Sequence, residues 1–120
     1  MRKGDDLAKA SPEDTVRAVL ERMTQARTGA AIIVAGDGAL AGIFTQGDFM
    51  RAAQKEGDVL PRPVREFMTV GPVSINSEKL AAEVLAVLGQ NRIDDLVVVG
   101  ADGKPVGLVD SQDLSRLKLV

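Results

Sequence analysis

Apolar positions recur along this chain with two different spacings, and the switch between them divides each half of the sequence into the same series of elements. Val16, Val19, Leu20 and Met23 stand three and four apart, so on a helix they share one face. Ser11-Pro12-Glu13-Asp14, just ahead of them, reads as the helix start: Ser11 as N-cap, Pro12 at the first helical position, and two acids where the helix dipole favours them. Leu80, Val84, Leu85 and Leu88 repeat the spacing behind Asn76-Ser77-Glu78 and predict a second helix of the same kind. After each helix come two short apolar runs, Ala31 to Val34 with Ala41 to Phe44, and Leu96 to Val99 with Val106 to Val109. An Asp-Gly loop separates the runs of each pair, and glycine takes positive φ without a Cβ clash, so each pair is expected to form an antiparallel hairpin. The runs are continuously apolar rather than alternating, which predicts strands covered on both faces, a cover that the repeat's own helices could supply. Val73-Ser74-Ile75 reads as a short strand leading into the second helix.

The two halves match without a gap at an offset of 65 residues: Ala30 to Arg51 against Asp95 to Arg116, with Val34, Asp37, Gly38, Gly42, Asp48 and Arg51 recurring as Val99, Asp102, Gly103, Gly107, Asp113 and Arg116. Half a chain of this size is one at which burial is marginal, so the halves are expected to depend on each other. The expected solution is two repeats sharing one core about a pseudo-twofold axis, with two related clefts along the seam. The fold class is therefore α/β with a mixed sheet, each repeat comprising a helix, a β-hairpin and a second helix behind a short lead-in strand. The boundaries are residues 1–55 for the first repeat, 56–63 for a connector marked by Gly57, Pro61 and Pro63, and 64–120 for the second. The lead-in at Phe67-Met68-Thr69 has no full counterpart upstream, since stepping back 65 residues from Met68 reaches Lys3. The expectation is that the first lead-in is truncated and that the chain is a fragment of a longer protein.

Composition narrows the function. A net charge of −2 offers no basic surface to a phosphate backbone, so nucleic acid is not an expected partner. The longest apolar run, Ala30 to Ala35, is too short to span a bilayer, and no amino-terminal signal precedes it. The expectation is a soluble, cytoplasmic protein, which the absence of cysteine fits. Histidine, tyrosine and tryptophan are absent as well. Serine-histidine catalysis and thiolate metal sites are thereby excluded, while carboxylate catalysis and an oxygen-ligated magnesium remain open. The vocabulary suits a binder rather than an enzyme: no catalytic residue and no metal ligand is assigned, and no cofactor is required.

The strongest motif is Gly42-Ile43-Phe44-Thr45-Gln46-Gly47-Asp48, a strand ending in threonine with an aspartate three residues on, where a helix begins. Two readings stand. Asp48 is a first-turn or N-cap residue of that helix, or the Thr45 hydroxyl and Asp48 carboxylate point together into the cleft, where a carboxylate can accept from the vicinal hydroxyls of a ribose. The pattern Gly-hydrophobic-x-Thr/Ser-x-x-Asp, occurring with helix, hairpin and lead-in, resembles a tandem pair of cystathionine β-synthase (CBS) domains, the Bateman module. The resemblance implies an adenosine-nucleotide or related site between the repeats, with Thr45 and Asp48 on the ribose, and a role in regulating a fused or partner protein. It also implies a disc-like homodimer. The stretch from Gly42 to Arg51 is further similar to the regulatory end of bacterial D-arabinose 5-phosphate isomerases. That likeness makes CMP-Kdo a candidate ligand beside AMP and ATP, and makes a covalently linked isomerase domain the expected partner.

The second motif, Gly107 to Asp113, carries Asp110 where the pattern has a hydroxyl, so Asp113 is the weaker ribose candidate, and Ser111 either replaces the hydroxyl or caps the last helix. Arg27, Thr28 and Gly29 enter the first central strand, where small residues allow close approach and Arg27 is either a phosphate partner or a solvated surface charge. Arg92 holds the matching place in the second half. Lys9 and Ala10 precede the first helix and could present backbone to a base. The alternative function is an interaction module that only dimerises its parent, its motif residues serving as caps and turns.

Overall fold

The computed structural model of the chain describes residue 4 and residues 7–71, 74–76, 95–100 and 102–110. Among the described residues there are two sheets, the first built on repeat one with an edge strand from repeat two, the second on repeat two alone. The first has the order β1-β2-β3-β4, with β1 at Ala8–Ala10, β2 at Ala30–Val34, β3 at Leu40–Thr45 and β4 at Thr69–Val70; the second has the order β5-β6-β7, with β5 at Ser74–Asn76, β6 at Asp95–Val99 and β7 at Pro105–Asp110. Helix α1 spans Val16–Ala26 and α2 spans Gln46–Glu56. The β1–β2 pairing is parallel and the β2–β3 pairing antiparallel, so the sheet is mixed as expected. No helix among the described residues is long and apolar enough to cross a membrane.

The internal repeat is reproduced in three dimensions residue by residue. Ile32 pairs with Ile43 as Val97 pairs with Leu108, and the register slips between Ile33 and Val34 as it does between Val98 and Val99. The turns agree as well. Gly38 N–H donates to the Ala35 carbonyl and the Asp37 carboxylate accepts from Ala39 N–H; Gly103 N–H donates to Gly100 and Asp102 accepts from Lys104 N–H. Gly38 and Gly103 both have positive φ, as the Asp-Gly loops require.

Strand alternation divides the core in two. Ala31, Ile33 and Phe44 face α1 and α2, packing with Val16, Val19, Met23 and Ala52. Ala30, Ile32 and Ile43 face the other way and pack on Val97 and Leu108 of the second repeat. The central strands are thus apolar on both faces because each face has its own cover, helices on one and the sister sheet on the other.

Three details differ from the sequence reading. The N-cap of α1 is Thr15, whose hydroxyl accepts from Ala18 N–H, and not Ser11. Ser11 to Asp14 instead close a separate turn, with the Asp14 carboxylate folded back onto Ser11 N–H at 2.8 Å. The carbonyls of Pro12 and Asp14 then accept from Arg65 and Val64 N–H and are lost to any helix. Residues 56–63 are also more than a linker: Val59 is buried, and the carbonyls of Arg62 and Leu60 accept from Val16 and Arg17 N–H, two donors that the first turn of a helix leaves unpaired. Finally, Ala8–Ala10 and Thr69–Val70 are strands that no apolar run announced; the lead-in to repeat two crosses over to become the edge of the first sheet. The helix expected behind Asn76 lies outside the described residues beyond that strand residue.

Candidate functional site

The junction of β3 and α2 holds the motif. Thr45 is the N-cap of α2, with extended backbone that ends the strand, and its hydroxyl accepts from Asp48 N–H at 3.1 Å. Asp48 answers through Oδ2, which accepts from Thr45 N–H at 3.0 Å, a reciprocal capping box. Oδ1 accepts from Arg51 Nη2 at 2.8 Å and from the Thr69 hydroxyl at 3.3 Å. Asp48 is the one buried charged side chain among the described residues, and none of their buried side-chain polar atoms lacks a partner. Four hydrogen bonds therefore fix the carboxylate and the threonine in one arrangement.

Register places this cluster on the seam. Thr45 stands directly opposite Ala30, and Thr69 opposite Ile43. Directly opposed residues share a face, and the face of Ala30 and Ile43 is the one turned to Val97 and Leu108. Gly42 makes the approach of β4 feasible: a Cβ there would lie 2.7 Å from the Thr69 carbonyl oxygen and 3.0 Å from Met68 Sδ. Glycine at the head of the motif is needed so that Thr69 can reach Asp48.

The segment before β2 comes to the same place. Gln46 N–H donates to the Gly29 carbonyl at 3.0 Å, and the Gln46 carboxamide lies over Gly29, 3.6 Å from where its Cβ would stand. Thr28 turns its hydroxyl toward the backbone of Ala30. Arg27 is exposed and caps α1 with φ 55°, the single non-glycine residue of positive φ among those described. Thr28 and Gly29 are thus brought to Thr45 and Asp48, with Arg27 next along the chain.

Lys9 and Ala10 sit farther off, on β1 across β2 from β3. Ala10 packs into the helix-side core, and the Lys9 carbonyl accepts from Arg22 Nη1 at 3.1 Å, although Lys9 pairs with Ile32 and so shares the seam face. Asp113 and Arg92 lie outside the described residues. Arg51, Thr69 and Gln46 were not among the expected site residues. Arg51 was within reach of sequence reasoning, since it stands three residues after Asp48 on the same helix face. Thr69 was not, because a crossover strand brings it in.

The comparisons with known proteins follow this geometry. The family model described as CBS domain matches twice, over residues 1–55 and 64–119. Arabinose 5-phosphate isomerase KdsD of Pseudomonas aeruginosa is 37% identical over 116 residues, which are 97% of this chain and 36% of the relative, so the chain spans about a third of the curated relatives it matches. Among solved structures, the CBS domain protein PAE2072 of Pyrobaculum aerophilum, complexed with AMP, aligns at TM-score 0.80 and 23% identity over 95% of this chain and 85% of that one. The CBS domain pair of protein MJ0100, in complex with 5′-methylthioadenosine and S-adenosyl-L-methionine, aligns at TM-score 0.82 and 23% identity over 97% and 94%. With both family matches falling on the two halves related by the 65-residue offset, this chain belongs to the CBS domain family as a tandem pair.

Proposed function

We propose that this CBS pair is a regulatory module that binds an adenosine nucleotide or a sugar nucleotide in the seam beside Thr45 and Asp48. The observation that carries the reading is the buried Asp48 carboxylate, held rigid beside Thr45 and Thr69, with Thr45 and Thr69 on the face turned to the second repeat. A preorganised carboxylate suits vicinal hydroxyls, because its orientation is fixed before the ligand arrives. AMP in PAE2072 and methylthioadenosine with S-adenosylmethionine in MJ0100 share an adenosine and differ in whether a phosphate is present. They support adenosine as the first ligand to try. The likeness to KdsD adds CMP-Kdo and a covalently linked isomerase domain whose activity the module would modulate. Within this reading the protein is bacterial, cytoplasmic and a homodimer, Arg27, Thr28 and Gly29 line the first site, Lys9 and Ala10 offer it at most backbone from the outer strand β1, and Asp113 and Arg92 belong to the second.

One observation favours the other reading, an interaction module that takes no ligand: Asp48 already accepts three hydrogen bonds from within the chain. The thermal midpoints of the wild type and Asp48→Ala in AMP, ATP, CMP and CMP-Kdo separate the two, because a ligand that prefers the folded state raises the midpoint. The regulatory reading expects a rise in the wild type that Asp48→Ala abolishes. No rise with any of the four transfers the assignment to the interaction module.

A further inference from the structure

The Asp48 carboxylate has fewer open acceptor positions than a diol needs. Oδ2 is committed to Thr45 N–H inside the cap, while Oδ1 accepts from both Arg51 Nη2 at 2.8 Å and Thr69 Oγ1 at 3.3 Å. A carboxylate oxygen offers two lone-pair positions, so both positions of Oδ1 are filled and Oδ2 keeps one open. A vicinal diol needs two positions, so its second hydroxyl must take the place of one Oδ1 donor.

The two donors are held very differently. Thr69 belongs to β4, paired with Ile43 by backbone hydrogen bonding, and its carbonyl abuts Gly42. Turning its O–H can release Oδ1 but leaves its oxygen in place, so the room for a second hydroxyl lies on the Arg51 side. Arg51 ends a flexible side chain that is 72% exposed, and a single 2.8 Å contact holds its tip to the buried Asp48. Its guanidinium folds back along the first turn of α2, so that a Cβ on Gly47 would lie 3.3 Å from Nη1. Of the two donors, Arg51 is the one that can leave without moving a strand.

We infer that Arg51 is a specificity-determining residue: displaced from Asp48 by the hydroxyls of the ligand, it becomes the partner of a phosphate on that same ligand, so the site selects nucleotides over nucleosides. The inference rests on the reading of Asp48 as a ribose acceptor. A nucleoside breaks the Arg51–Asp48 pair and returns nothing to the guanidinium. A nucleotide breaks the same pair and supplies an anion whose oxygens match the planar fork of donors. Asp48 is the only acid in the first turn of α2, because Gln46 is neutral, so the freed guanidinium has no second carboxylate on that turn to turn to.

Titration calorimetry of AMP against adenosine, and of CMP against cytidine, on the wild type, Arg51→Met and Arg51→Lys tests this. The wild type is expected to prefer the nucleotide of a binding pair by about tenfold or more, the scale of a charge-assisted contact. In Arg51→Met the two affinities move in opposite directions: the nucleotide weakens, while the nucleoside holds or tightens because its competitor for Oδ1 is gone. Arg51→Lys keeps part of the preference. Parallel losses for nucleotide and nucleoside in Arg51→Met would show that Arg51 merely props the site, and an undiminished preference would show that the phosphate lies elsewhere; either result overturns the inference. Failure of all four compounds to bind the wild type instead removes the reading of Asp48 itself, and the inference falls with it.

Discussion

Thr45 and Asp48 cap each other: the Thr45 hydroxyl accepts from Asp48 N–H at 3.1 Å, and the Asp48 carboxylate accepts from Thr45 N–H at 3.0 Å. The two halves of this exchange are not equivalent, because Asp48 also serves Arg51 and Thr69. Thr45→Val loses one cap and is expected to cost about 1 kcal/mol. Asp48→Ala strands the Thr45 N–H and the Thr69 hydroxyl as well, and is expected to cost about 2–3 kcal/mol. Urea denaturation of both variants checks the order; equal losses would mean that the contacts of Asp48 beyond the cap contribute nothing.

Gly42 is the position at which β4 presses on β3. Gly42→Ala places a methyl group 2.7 Å from a backbone oxygen that cannot rotate away, so β4 must shift. A loss of about 1–3 kcal/mol is expected, the scale of an overpacked contact, together with faster amide exchange along β3 and β4. Unchanged exchange there would show that the strand absorbs the methyl without moving.

Residues 56–63 close the amino terminus of α1, since Val16 and Arg17 N–H donate to Arg62 and Leu60 at 2.9 and 3.1 Å. First-turn amides ordinarily exchange freely with solvent. These two are expected to be protected to the level of the core, and Val59→Ala, which loosens the buried anchor of the segment at a cost of about 2 kcal/mol, lowers their protection more than that of β2. Hydrogen exchange read residue by residue decides it; free exchange at Val16 and Arg17 in the wild type would contradict the docking.

The Asp14 carboxyl is held below its ordinary value of 3.8, first by the Ser11 N–H; burial opposes this, and the hydrogen bond and charge of Arg22, each a lesser cause, lower it further. A depressed carboxyl contributes stability that is fully present above its unfolded value and is lost as the pH falls through its folded value. Asp14→Asn is therefore expected to be less stable than the wild type at pH 7, with the gap narrowing only below about pH 4. A gap that stayed constant through the acid range would show that shape, not charge, holds the turn.

Arg27 carries a Cβ in the left-handed region that glycine favours. Arg27→Gly is expected to raise stability by about 0.5–1 kcal/mol. If Arg27 also meets a ligand phosphate, the same variant lowers the rise in thermal midpoint produced by AMP. A variant that is no more stable than the wild type would mean that the residue packs favourably enough to offset its backbone.

The repeat, the two hairpins, the core face of α1 and the Thr45–Asp48 motif were legible in the sequence because each depends on local spacing: period in the helices, Asp-Gly in the turns, and a 65-residue offset that preserves register down to the bulge. Even the double cover of β2 and β3 could be read from their unbroken apolar character. Tertiary structure alone decided the rest. Ser11 lost the cap to Thr15 because the carbonyls of Pro12 and Asp14 are taken by Arg65 and Val64, residues some fifty positions away in sequence. Ala8–Ala10 and Thr69–Val70 are too short to carry a periodicity and become strands only because β2 and β3 offer them unpaired edges. Thr69 reaches Asp48 for that reason, 21 residues along the chain, and with it the occupied Oδ1 on which the proposed selectivity of the site turns. Local spacing fixes which face a residue takes; which residue meets it there depends on chain crossings that no window of sequence contains.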